Sequence, residues 1–176
     1  MRGIASIPPL TNFMGAGSMA EFIIGKDIFK EPGDLYIVTV NTIGVMGAGV
    51  AKAFAERHPD LFLKYKHDCK MKSITIGHPA LYEGTDGKRY LMFPTKENWR
   101  NPSTYDYVGL GLQWLIENIG EEEDQINPKW TLIVPPLGCG NGGLDFDIVS
   151  EMIEEASQKI PNKMVVVYPP WMSGKQ

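Results

Sequence analysis

Apolar positions along this chain fall into short unbroken runs and into helical stripes, and the two kinds alternate. Residues 35–40, Leu-Tyr-Ile-Val-Thr-Val, make a near-continuous run of strand length, the pattern of a strand buried on both faces. Residues 130–134 and 163–168 repeat it, and 20–24 form a shorter strand candidate ended by Gly25. A helix is expected from Ala48 to the His58-Pro59 break, because a residue before proline avoids the helical region. Residues 60–70 predict a second helix with Leu61, Phe62 and Tyr65 on one face. Residues 80–83 and 89–93, joined through Gly84-Thr85-Asp86-Gly87, predict a hairpin. The spacing predicts a third helix over 103–119, with Ser103 as N-cap, Asp106 at N3 and a stripe of Tyr107, Leu110, Trp114 and Leu115. A last helix is expected over 145–159, capped by Asp145 and Asp147. Alternating strands and helices imply an α/β fold with a mixed sheet covered on both faces. Residues 19–171 read as one domain, with 1–18 an N-terminal extension or added leader and 172–176 a short tail.

Two of the strand-to-helix turns are unusually rich in glycine. Val40-Asn41-Thr42-Ile43 is followed by Gly44-Val45-Met46-Gly47-Ala48-Gly49-Val50 as the chain passes from strand to helix. Pro135-Pro136-Leu137-Gly138-Cys139-Gly140-Asn141-Gly142-Gly143-Leu144 does the same after the strand at 130–134. Glycines let a main chain come close to a ligand, and a helix N-terminus favours an anion. Neither turn is a Walker A loop, and neither completes a dinucleotide fingerprint. One such turn need be no more than a tight connection. Two at the carboxyl ends of strands in one open sheet could clasp a diphosphate between them.

Composition narrows the picture. With 176 residues and 43% hydrophobic content the chain can build one domain with a real core. A net charge of −4 argues against broad, nonspecific nucleic-acid binding, while leaving room for a local basic rim. Cys69 and Cys139 are too few for a disulfide scaffold and lack metal-ligand spacing, which suits a reducing, cytoplasmic setting. No run is long enough to span a bilayer, so a membrane partner is not expected. Glu121-Glu122-Glu123-Asp124 reads as a solvated loop.

Several side chains could carry chemistry. Asn41, where a buried strand meets its glycine turn, can hydrogen-bond a ribose hydroxyl or a water, or else cap its own turn. Lys96, just past an apolar strand, can serve as nucleophile, acid/base or phosphate ligand, or be an ordinary surface lysine. Trp99 and Arg100 could stack on a base or hold a phosphate. Cys139 has no histidine near it in sequence and reads as a small loop residue rather than a nucleophile, and Cys69 as core. His58, His67 and His78 make no zinc pattern. Asp27 could accept from an adenine amino group, and Tyr168 could pack on a base or on the core.

The two glycine loops, taken with Phe93-Pro94-Thr95-Lys96 and Trp99-Arg100, resemble the macro domain, an ADP-ribose-binding module. The three motifs in that order resemble in particular the subgroup that holds the DarG antitoxin and the terminal ADP-ribose protein glycohydrolase. The likeness spans roughly Met19 to Pro170. It implies a three-layer α/β/α sandwich with a mixed, largely parallel central sheet and ADP-ribose in a cleft over the strand ends. It also implies that Asp27 and Ile28 bind adenine, that Tyr168 lies near it, and that Asn41 faces the distal ribose. Residues Gly44, Met46, Gly47, Ala48, Gly49 and Val50 then belong to the first phosphate loop, and Pro136 through Leu144 to the second. Lys96 matches the lysine given a catalytic role in that subgroup. The acidic residue of the terminal glycohydrolase falls at Gly142 here, and the histidine that DarG pairs with its lysine falls at Asn98. The expected activity is removal of ADP-ribose from modified DNA or protein, with an ADP-ribose 1″-phosphate phosphatase and a non-catalytic ADP-ribose reader as alternatives. No cofactor or metal is implied, ADP-ribose being ligand or product, and a cognate ADP-ribosyltransferase toxin is the implied partner.

Overall fold

A computed structural model describes residues 20–173; the expected extension at 1–18 and the last three residues of the expected tail lie outside them. The chain runs β1 (Glu21–Ile24), a 3-10 turn (Ile28–Lys30), β2 (Leu35–Asn41), α1 (Gly49–Arg57), α2 (Pro59–Lys70), β3 (Ala80–Glu83) and β4 (Arg89–Lys96). It continues through α3 (Tyr105–Glu117), β5 (Leu132–Val134), α4 (Phe146–Ser157), β6 (Met164–Tyr168) and α5 (Pro170–Ser173). The six strands make one sheet in the order β1-β6-β5-β2-β4-β3. Every neighbouring pair is parallel except β3–β4, the expected hairpin.

Side-chain alternation on the central strands builds the layers. Leu35 and Ile37 of β2, with Leu91 and Phe93 of β4, pack towards α3 and α4. Tyr36, Val38 and Val40, with Tyr90 and Met92, pack towards α1 and α2. Both faces of the sheet are therefore buried, which is why β2 reads as an unbroken apolar run. On the first face α3 sits so close to β4 that a Cβ on Gly111 would stand 2.3 Å from the Phe93 ring.

Three expectations shift at the element ends. Helix α3 begins at Tyr105 and its N-cap is Thr104, whose Oγ1 accepts from the Tyr107 N–H at 3.1 Å; Ser103 lies outside the helix and is buried. The buried stripe of α3 is Val108, Gly111, Leu112 and Leu115, so Leu110, placed on the apolar face from sequence, is exposed. Strand β4 runs on to Lys96, which is its last residue rather than the first of a loop. Asp145 caps α4 as expected, accepting from the Asp147 N–H at 2.8 Å. Past β6 the chain turns into α5, and Met172 is buried against the α3–α4 core.

Candidate functional site

The sheet changes direction in its middle. From β2 the order moves outward to β4 and β3, and from β5 outward to β6 and β1. A crevice opens at such a switch point, beyond the carboxyl ends of the strands. The seam here is short: β2 and β5 pair only at Leu35–Leu132 and Tyr36–Ile133. Beyond those pairs the strands diverge, and each leads into one of the glycine-rich turns.

A cavity of about 720 Å³ fills the gap. The first loop lines it with Val45, Gly47, Ala48, Gly49 and Val50, and the second with Pro136, Gly138, Cys139, Gly140, Asn141 and Gly142. Asn41, Lys96 and Trp99 line it as well. A second hollow of about 400 Å³ adjoins it, holding Asp27, Ile28 and Phe29. The two share Gly49, Val50, Pro135, Pro136 and Pro169 as walls. Together they make an elongated cleft with glycine loops at its waist.

Each predicted residue takes a definite place. Asn41 and Lys96 stand side by side at the ends of β2 and β4. The register shifts there: Val40 pairs with Pro94 but Asn41 with Lys96, so Thr95 is an extra residue that re-aims the end of β4. The Glu97 carbonyl accepts from the Thr42 N–H at 3.3 Å and the Thr42 hydroxyl at 3.1 Å, locking the two strand ends together. The Lys96 ammonium donates to the Asn141 carbonyl at 3.2 Å and the Trp99 carbonyl at 3.4 Å, so it bridges β4 to the second glycine loop. Among the described residues that line the main cavity, Lys96 is the one charged side chain, and none is a carboxylate or histidine. Asn98 holds its own turn, its Oδ1 accepting from the Arg100 N–H at 3.0 Å.

Asn41 is both a turn cap and a cavity residue. Its Oδ1 accepts from the Ile43 and Val45 N–H groups at 3.1 and 3.3 Å, and its Nδ2 donates to the Val45 carbonyl at 2.8 Å. Asp27 is likewise engaged: Oδ1 accepts from the Phe29 N–H at 2.9 Å and Oδ2 from the Arg57 guanidinium at 2.7 Å. Partial burial works to raise its pKa, but Arg57 and the Phe29 N–H outweigh burial and hold the carboxyl below its usual range. Cys139 is buried, with its thiol towards the Leu137 carbonyl at 3.6 Å.

Other named residues stand behind the walls. Met46 and Leu137 are core, Leu144 packs on the α3–α4 core, and Gly44 and Gly143 bend the loops with φ of 87° and 81°. Tyr168 is half-buried with its ring 5.0 Å from Phe146, on the core rather than in either hollow. Arg100 stacks on Trp99 at 4.9 Å instead of reaching the cavity. The structure adds wall residues outside the predicted site: Thr39, Ser103, Pro135 and Trp171. Ser103 is only 5% exposed; its N–H donates to the Gly142 carbonyl at 3.0 Å. It lies so tightly under the loop that a Cβ on Gly142 would meet its hydroxyl at 2.4 Å and the Gly138 carbonyl at 2.3 Å.

Known proteins are similar to this chain in sequence and fold. The macro domain family model matches residues 37–153. A DNA ADP-ribosyl glycohydrolase of Mycobacterium tuberculosis is 39% identical over 147 residues, 82% of this chain and 40% of the relative. One of Thermus aquaticus is 37% identical over 155 residues, 86% of this chain and 41% of the relative. The chain thus spans about two fifths of the length of these curated relatives. The solved macrodomain of Thermus aquaticus DarG superposes with a TM-score of 0.75 at 36% identity, covering 86% of this chain and 99% of that one. Thermosipho africanus DarTG in complex with ADP-ribose gives 0.75 at 29% identity, over 97% of this chain and 48% of that one. With two glycine loops on one cleft, the family model matched across the centre of the sheet and relatives this similar, the chain belongs to the macro domain family.

Proposed function

We propose that this domain binds ADP-ribose along the cleft and hydrolyses the bond joining its distal ribose to a modified macromolecule, with DNA as the favoured carrier. The observation that carries the reading is the pairing of Lys96 with Asn41 on the wall where both glycine loops converge. The diphosphate would lie between the loops, adenine by Asp27 and Ile28, and the distal ribose by Lys96. Cleavage at an anomeric carbon builds positive charge on the sugar and negative charge on the leaving base, and among the described residues of the main cavity, which include no carboxylate or histidine, Lys96 is the group that can answer. It would do so as the neutral amine, attacking the anomeric carbon while the base leaves with the amine's proton and water then hydrolyses the glycosyl-lysine, or as the ammonium stabilising the departing charge. Support for DNA comes from the relatives' names and from the rim, where Trp99, with Arg100 over one face, is 50% and Trp171 57% exposed, aromatic surface against which a base can pack. A Thermosipho africanus relative, 33% identical over 149 residues, is a DNA ADP-ribosyl transferase-DNA ADP-ribosyl glycohydrolase fusion protein, which supports a transferase toxin as partner. In a cytoplasmic setting the pair would add and remove one mark.

The test is a substrate panel: an ADP-ribosylated oligonucleotide, an ADP-ribosylated protein and ADP-ribose 1″-phosphate, each incubated with the protein, alongside calorimetric titration with ADP-ribose. Free ADP-ribose released from the oligonucleotide is expected. Release from the 1″-phosphate alone identifies a phosphatase, and binding without product from any substrate identifies a reader; either result removes the hydrolase assignment.

A further inference from the structure

Asn41 is held from below by a residue 24 positions away. Tyr65 of α2 is completely buried, and its hydroxyl lies 2.9 Å from the Asn41 Oδ1 and 2.7 Å from the Asn41 carbonyl oxygen. The Cys69 thiol, one turn further along α2, faces the same carbonyl at 3.9 Å. Three donors therefore face Oδ1: the Ile43 and Val45 N–H groups, and the Tyr65 hydroxyl, whose single hydrogen is shared with the nearer Asn41 carbonyl. Two of the three are backbone N–H groups, which can only donate, so turning the amide over would set its NH2 against them. The Tyr65 hydrogen, shared between the Asn41 carbonyl at 2.7 Å and Oδ1 at 2.9 Å, ties the amide to the end of β2. Burial pushes the Tyr65 hydroxyl far above the usual tyrosine range and raises the Cys69 thiol, so both keep their hydrogens. Nδ2 has two hydrogens, and the Val45 carbonyl takes one at 2.8 Å. The other is what Asn41 has to offer the cavity.

We propose that Tyr65 is a positioning residue that locks the Asn41 amide with its oxygen inward and an N–H outward, so that Asn41 acts on the distal ribose purely as a hydrogen-bond donor. This rests on the functional reading above and narrows it. A donor cannot accept a proton from an attacking water. It can hold a ribose oxygen in place beside Lys96 while the anomeric bond breaks.

Two substitutions test the assignment with an ADP-ribosylated oligonucleotide as substrate and ADP-ribose as titrant. Asn41→Asp keeps the contacts that Oδ1 accepts and removes both N–H groups, the one on the Val45 carbonyl as well as the one facing the cavity; kcat is expected to fall at least about 100-fold, the scale of losing one preorganised donor. Tyr65→Phe loosens the amide without touching the cleft; kcat is expected to fall about 10-fold with KM and the ADP-ribose Kd within about 3-fold of wild type. That split separates positioning from general support of the fold, which would weaken binding along with turnover. Wild-type kcat in either variant overturns the proposal, as does a Tyr65→Phe protein that loses affinity in step with kcat. Should Tyr65→Phe not fold, Tyr65→Met carries the same test with the same deciding outcomes, since it too removes the hydroxyl and stays outside the cleft. A wild-type protein that neither binds ADP-ribose nor releases it from DNA overturns the functional reading itself, and the assignment with it.

Discussion

At the scale of single residues, two neighbours divide the work at the strand ends. Lys96 reaches over to the Asn141 carbonyl, and Asn41 folds back onto its own turn. The lysine is thus a cavity group held from one side, and its removal leaves both glycine loops on their own backbone bonds, such as Leu144 N–H to Gly138 O at 3.1 Å. Lys96→Ala is expected to abolish turnover, by about 1,000-fold or more if the amine is the only group answering the developing charge. Its ADP-ribose affinity should stay within about 10-fold, since it loses one charged contact rather than the loops. Calorimetry and a single-turnover assay on the same preparation check both halves, and full turnover in the variant would remove Lys96 from the mechanism. Lys96 and Asn41 were legible as candidates because each sits where an apolar run ends in polar residues. Tyr65 was legible only as a core position, since its hydroxyl's partner lies across the fold.

At the scale of elements, strands read more truly than helix faces. A doubly buried strand such as β2 needs apolar side chains on both faces, and that leaves a near-continuous run. An amphipathic helix needs only a stripe, and α3 carries spare apolar residues on both sides of it: Leu110 faces out while Gly111 lies against Phe93. Ser103 is the better cap by type, but it lies buried beneath Gly142, and Thr104 caps the helix instead. The β3–β4 hairpin was legible from its Gly-Thr-Asp-Gly turn, and its stability has a testable pH signature. Asp86 accepts from the Lys88 N–H at 3.0 Å and the Tyr90 hydroxyl at 2.5 Å, with the His58 Nε2 at 3.8 Å. Partial burial raises its pKa, but the Tyr90 hydroxyl, the Lys88 N–H and His58 outweigh burial and lower it below 3.8. A lowered folded pKa gives stability that is present above the unfolded value and lost as pH falls through the folded one. Asp86→Asn should therefore melt below wild type at neutral pH, with the gap closing as pH drops below about 4. A gap that stays constant from about pH 6 to about pH 3 would show that the charge of Asp86 contributes nothing.

At the scale of the whole molecule, the cleft is where the fold is least tied together. The sheet halves β1-β6-β5 and β4-β3 meet through β2, and β2 holds β5 by two residue pairs at the end away from the cleft. The loops that follow β2 and β5 belong to different halves, yet they form facing walls of one cavity. A ligand gripped by both loops adds a cross-link at that end to the few the bare chain has there, such as Lys96 to the Asn141 carbonyl. Because such a ligand binds the native state and not the unfolded chain, ADP-ribose at 100 times its Kd should stabilise the domain by about 2.7 kcal/mol. For a chain of this size that is a rise in Tm of about 5–10 °C. Lys96→Ala should keep most of the rise, because it leaves both loops standing. Gly142→Ala should lose at least half of it, because the added Cβ would stand 2.3 Å from the Gly138 carbonyl oxygen, backbone that cannot yield without moving the loop. Melting curves of the three proteins across a titration of ADP-ribose decide the matter. A Gly142→Ala protein with the full rise would mean that the second loop does not grip the ligand, and that the halves of the sheet are bridged elsewhere.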